Sequence, residues 1–160
     1  MNVKRSTGTL SLLLSLIFLL SGCISVPVYK NYDFDPKDVA SIEIYDLRQS
    51  EEYRSGFHEK VEAAYTIPGE KLEGFLSDLA DIRFSDSKII FTIAAVDPSF
   101  YFDEWVVRIN HPDGSFYLLS CDHYNEQYDR NGKREDIDHF GCDTELWHRL
   151  IKKYTPEDLW

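Results

Sequence analysis

The residues best suited to chemistry lie between Cys121 and Cys142, in CDHYNEQYDRNGKREDIDHFGC: two thiols, two imidazoles and a crowd of carboxylates and amides. Groups of these types ligate metals or close disulfides, and geometry decides between them. Asn131-Gly132 is the strongest short hairpin signal in a sequence. A two-residue turn there opposes Arg130 to Lys133, and stepping outward nine residues on each strand brings Cys121 opposite Cys142. If Arg130 and Lys133 form a hydrogen-bonded pair, alternation makes the cysteines a non-hydrogen-bonded pair, where side chains approach most closely. That spacing permits a cross-strand disulfide. In the chain-entropy account such a bond stabilises the fold by roughly 3 kcal/mol.

The same register separates the histidines. His123 faces Phe140 and His139 faces Tyr124 on the other side of the ribbon, so they do not converge on one ion. Asp129, Asn131, Gly132 and Asp138 fall at ligand and turn positions of an EF-hand-like loop, but Gln127 stands where the first carboxylate belongs. With no CxxC or Cys/His zinc spacing either, no metal and no cofactor are expected. A second candidate is DPSFYFDE: Phe100, Tyr101 and Phe102 beside Asp103 and Glu104 form an aromatic, acid-rimmed loop suited to a protein or glycan partner. The competing reading has Phe100 and Phe102 capping the core. No GxSxG elbow, HExxH helix, phosphate-binding glycine loop or dinucleotide fingerprint occurs.

The positioning elements follow from periodicity. Ile42 and Ile44 alternate with Glu43 and Tyr45 in a half-buried strand over Ala40–Leu47, and Val61, Ala63, Tyr65 and Ile67 repeat the pattern over His58–Ile67. After Pro68 and Gly69, Leu72, Phe75, Leu76 and Leu79 recur at helical spacing. KIIFTIAAV, Lys88–Val96, reads as a central strand. Trp105, Val107 and Ile109 alternate with Val106, Arg108 and Asn110, and HPDGS then suits a type I turn with a bulge at Gly114. That turn opposes His111 to Ser115, Ile109 to Tyr117, Val107 to Leu119 and Trp105 to Cys121. Asp143 caps a last helix carrying Leu146, Trp147, Leu150, Ile151 and Tyr154 on one side. The expected fold is α+β: a mainly antiparallel sheet of five to six strands with two helices on one face, in the order β-β-α-β-β-β-(β)-α.

The amino terminus is different in kind. Lys4 and Arg5 precede TLSLLLSLIFLLSGC, an apolar run too short to span a bilayer, which needs roughly 20 residues. Leu20, Ser21, Gly22 and Cys23 resemble the lipobox of bacterial lipoproteins. The resemblance implies that residues 1–22 are a signal peptide removed on export, that Cys23 receives a diacylglycerol thioether, and that the new amino terminus is acylated. Ile24 stands where aspartate would mark inner-membrane retention, which implies the outer membrane where one exists and otherwise the outer face of the cell membrane. Residues 23–38, with their prolines, read as a tether whose extended reach is roughly 50 Å, leaving 39–160 as a single domain.

Composition bounds function. The chain of 160 residues carries a formal charge of -11, and loss of Lys4 and Arg5 leaves -13. Such a surface repels nucleic acid and leaves membrane association to the lipid. The expected role is a lipid-anchored, non-catalytic binding or interaction module of the cell envelope, with an envelope protein or glycan as partner. The alternative is a small enzyme acting on an envelope polymer through a carboxylate pair that meets only in three dimensions.

Overall fold

The computed structural model describes residues 27–47, 61–86, 105–121 and 125–160. Cys23 with its signal, the expected strand Lys88–Val96, the DPSFYFDE loop, His123 and Tyr124 lie outside the described residues. Within them the chain forms β1 (Val28–Lys30), β2 (Ser41–Asp46), β3 (Tyr65–Thr66), α1 (Gly69–Ala80), β4 (Phe84–Asp86), β5 (Trp105–Asn110), β6 (Phe116–Leu119), β7 (Asn125–Tyr128), β8 (Arg134–Asp138) and α2 (Thr144–Tyr154), with short 3-10 turns at Pro36–Asp38 and Glu157–Leu159. Six strands make an antiparallel sheet in the order β3-β2-β5-β6-β7-β8, while β1 and β4 pair separately. This is the expected α+β architecture.

The period-2 strands bury their two faces differently. Ile42, Ile44, Trp105, Val107, Ile109 and Leu119 face the two helices, meeting Phe75 and Leu79 of α1 and Trp147 and Ile151 of α2. Tyr45, Val106, Phe116, Leu118 and Tyr128 form a second buried cluster on the other face, so Val106, expected on a polar side, is 7% exposed. There the Arg108 guanidinium lies 4.0 Å over the Phe116 ring, and Phe116 stacks on Tyr128 at 4.6 Å. Leu146, expected on the buried side of α2, is 44% exposed. It sits in the first helical turn, at the margin of the apolar stripe.

The β5–β6 register is as expected: Ile109 opposes Tyr117 and Val107 opposes Leu119. Gly114 takes φ 90°, its N–H donates to the His111 carbonyl, and His111 N–H donates to Ser115. The ladder ends at Val107–Leu119, two residue steps before Trp105 and Cys121.

Two expectations are corrected. The strand expected over His58–Ile67 is, in the described part, only Tyr65–Thr66; Ile67 N–H still reaches the Ile42 carbonyl, and Pro68 then removes the next donor. The segment read as a tether is built into the domain from Val28 onward. Val28–Lys30 pairs antiparallel with Phe84–Asp86, Tyr32 is 4% exposed and sets its ring edge-on to Phe84 at 4.8 Å, and Phe34 meets Tyr117 at 5.2 Å. The physical cause is the aromatic content of VYKNYDF, whose rings bury large apolar area even without periodicity.

The helices are clamped to one another by Asp78, whose carboxylate accepts from the Lys153 ammonium and the Tyr154 hydroxyl. Those two bonds hold its pKa below the ordinary carboxylate range, the Lys153 bond acting more strongly. A depressed pKa stabilises the fold above the unfolded-state value and loses that contribution as the pH falls through the folded value. Asp78→Asn is therefore expected to lower stability at pH 7 and to converge with the wild type as the pH falls through the depressed folded-state value. Urea midpoints followed from neutral pH down into acid check this; a gap that does not narrow as the pH falls would contradict it.

Candidate functional site

The structure brings the two cysteines of the chemical segment together by a route different from the expected one. The Asn131-Gly132 turn is not a two-residue turn. Asp129 N–H donates to the Lys133 carbonyl and Gly132 N–H to the Asp129 carbonyl, with Gly132 at φ 74°, so the loop holds three residues, like the HPDGS turn. The cause is Asp129, whose carboxylate accepts from the N–H groups of Asn131 and Lys133 at 2.8 Å each. The Lys133 N–H is the main reason its pKa is depressed. Tyr128 then opposes Arg134, whereas Gln127 opposes Asp136, leaving Glu135 as an extra residue on β8.

This bulge restores the register inferred from the sequence. Asn125 opposes Asp138, and the Cys142 N–H donates to the Cys121 carbonyl at 2.9 Å, which sets the two cysteines opposite one another. The expected non-hydrogen-bonded pair is thus corrected to a hydrogen-bonded one, because the longer loop and the bulge together shift the alternation. Both residues carry thiols in this structure, Cys121 buried and Cys142 half-buried. The Cys121 thiol points to the Thr144 hydroxyl at 3.6 Å.

The other metal candidates do not assemble. Asp129 is consumed by its own turn, Asp138 stands at the opposite end of the hairpin beside Asn125, and His139 is exposed. Among the described residues no group of three or more His, Cys, Asp or Glu side chains is arranged to hold an ion.

What the hairpin does build is a cleft that sequence reasoning missed. It has a volume of about 60 Å³, room for a few waters or one small polar group, and lies between Lys30 and Tyr32 on one side and Tyr117, Gln127, Asp136 and Asp138 on the other. The floor follows from the sheet: Tyr117 opposes Gln127 and Gln127 opposes Asp136, placing the three in a row across β6, β7 and β8. The wall is the amino-terminal segment. Lys30 forms an ion pair with Asp138, with its ammonium 4.7 Å from the Tyr32 ring centroid. The Tyr32 hydroxyl also donates to Asp138 at 3.3 Å.

Protonation in the cleft is fixed in one sense. Burial, and next the Asp138 carboxylate, push the Tyr32 phenol well above its ordinary value. Burial and the carboxylates of Asp138, Asp136 and Glu135 push Tyr117 the same way. Both phenols therefore remain hydrogen-bond donors across the physiological range. Asp136 and Asp138 share a face of β8, and Asp138 is already committed to Lys30 and Tyr32.

Asn125 holds the cleft's inner end. It is 2% exposed, its Oδ1 accepts from Ser120 N–H at 2.8 Å and its Nδ2 donates to the Phe140 carbonyl at 2.6 Å. The amide thus ties the end of β6 to the segment after β8. Asn125→Ala leaves both backbone groups to find other partners and is expected to cost about 2 kcal/mol. A urea midpoint unchanged from the wild type at constant m would contradict that assignment.

No protein-family model, curated protein or solved structure matches the chain.

Proposed function

We propose that the chain is a lipid-anchored, non-catalytic binding module of the cell envelope, held through Cys23, on the outer membrane where one exists. The cleft between β1 and the β7–β8 hairpin receives a hydroxyl or ammonium group of an envelope protein or glycan. The observation that carries this reading is the direction of the phenol shifts. A general base or nucleophile working near neutrality needs its pKa brought toward 7. Tyr32 and Tyr117 are moved away from it, and Lys30 and Asp138 satisfy one another. The two phenols thus stay neutral donors, which suits recognition. The lipobox resemblance supports the anchor. The cleft also lies where β1 leads back toward Cys23, so a partner would be met close to the membrane.

The test places a photo-reactive amino acid at Asp136, which lines the cleft, or at Glu73, exposed on α1, in cells carrying the full chain. Irradiation of intact envelopes is expected to give a discrete adduct at position 136 and none at 73, with the adduct's mass distinguishing protein from glycan. The same adducts at both positions, or none at either, would remove the cleft from the proposal. Release of soluble fragments from purified envelope polymer by the purified chain would favour the enzymatic alternative.

A further inference from the structure

We infer that the outer face of the β1–β4 ribbon, centred on Tyr29 and Arg83, rests on the phospholipid headgroups of the membrane that holds Cys23; this rests on the lipoprotein reading of Cys23. Chain length comes first. Val28 is already part of the domain, paired with Asp86, and four residue steps separate Cys23 from Pro27. Four fully extended steps span at most about 14 Å. The headgroup layer on each side of a bilayer is roughly 5 to 8 Å thick. A glycerol-linked Cys23 at the inner boundary of that layer therefore lets Pro27 stand at most about 6 to 9 Å clear of it, which keeps the β1–β4 ribbon within reach of the headgroups. The roughly 50 Å leash expected from an extended tether does not exist.

Surface chemistry is the second, independent observation. Among the described residues the exposed large hydrophobic side chains are Val28 at 53%, Tyr29 at 54% and Leu146 at 44%, and two of the three occupy the first strand after the anchor. Tyrosine, with an apolar ring and a polar tip, is a residue of the bilayer interface. Arg83 sets its guanidinium 5.1 Å from the Tyr29 ring centroid, on the side of β4 that Tyr29 shares through its pairing with Ser85. A guanidinium there meets lipid phosphate with paired N–H donors. Charge selects the same face. A mature chain of -13 is repelled by anionic headgroups, and the Arg83–Tyr29 pair supplies a cationic, aromatic contact on the first strand after the anchor.

The experiment uses the full lipidated chain, purified from membranes and reconstituted into phosphatidylcholine vesicles with or without bromine on the upper acyl carbons. Tyr29→Trp adds an indole at the proposed contact. Lys133→Trp adds one at the hairpin turn, five residues along β8 from Asp138 and so about 16 Å farther from Lys30. Emission in excess of the wild-type chain is expected to fall by roughly half in brominated vesicles for Tyr29→Trp, at the depth interfacial side chains reach, and to be unchanged for Lys133→Trp. Intact mass on the same samples reports the lipid. With the lipid present, equal quenching of the two variants, or quenching of neither, overturns the inference and leaves the lipoprotein reading standing. A chain without lipid that elutes apart from the vesicles overturns both.

Discussion

Trp147→Ala is expected to lower the unfolding free energy by about 3 to 5 kcal/mol, the range for removing a fully buried large aromatic side chain. Trp147 is 0% exposed, packs edge-on to Phe84 at 6.2 Å, and donates its indole N–H to the Trp105 carbonyl at 3.1 Å. One side chain thus joins α2 to the start of β5 and to β4. Trp147→Phe keeps most of the apolar area and loses the N–H, so its cost should be smaller, about 1 to 2 kcal/mol. Urea unfolding followed by far-ultraviolet circular dichroism measures both, since Trp105 and Trp160 would confuse a fluorescence signal. Equal losses for the two variants would show that the hydrogen bond, not the packing, carries the effect.

Oxidation of Cys121 and Cys142 to a disulfide is expected to raise stability by roughly 3 kcal/mol. The two thiols lose two protons and two electrons to a thiol oxidant such as diamide, with the half-buried Cys142 the sulfur that reacts first. The backbone bond from Cys142 N–H to Cys121 implies a Cα separation of about 5.5 Å, within the span that disulfides bridge. Non-reduced peptide mapping after oxidation should recover the 121–142 linkage, with no such gain in Cys142→Ser. Two unmodified thiols after prolonged oxidation would refute the bond.

That pair shows how far the sequence could be read. The HPDGS turn and the Trp105–Asn110 alternation agree with each other, and the register they predict is the register observed. In the next hairpin the dipeptide Asn131-Gly132 outweighed Asp129, although an aspartate able to cap its own turn was visible in the sequence. The resulting one-residue error was cancelled by the bulge at Glu135, which nothing in REDID announces. The cysteines were therefore correctly opposed but assigned the wrong kind of pair. The cleft was illegible for another reason. Its floor follows from two hairpin registers, but its wall depends on β1 pairing with β4, more than fifty residues away. A three-residue strand carries too little periodicity to predict that contact. Once Val28–Lys30 is placed, Lys30, Tyr32 and Asp138 meet.

The two five-residue turns, His111–Ser115 and Asp129–Lys133, also bear on the order of assembly. They join β5 to β6 and β7 to β8 between near neighbours in the chain, where loop closure is entropically cheap. The partnership of β2 with β5 joins Asp46 to Trp105 and must close a loop of more than fifty residues. Contacts so distant form late when topology sets the rate. The meander from β5 to β8 is thus the expected folding nucleus, with β2, β3 and α1 adding to an edge already made. Until β2 arrives, that edge exposes Val107 and Ile109. The interval before β2 docks is then the stage of folding most open to wrong strand pairing, and mutations that slow docking should raise aggregation during refolding more than they lower equilibrium stability.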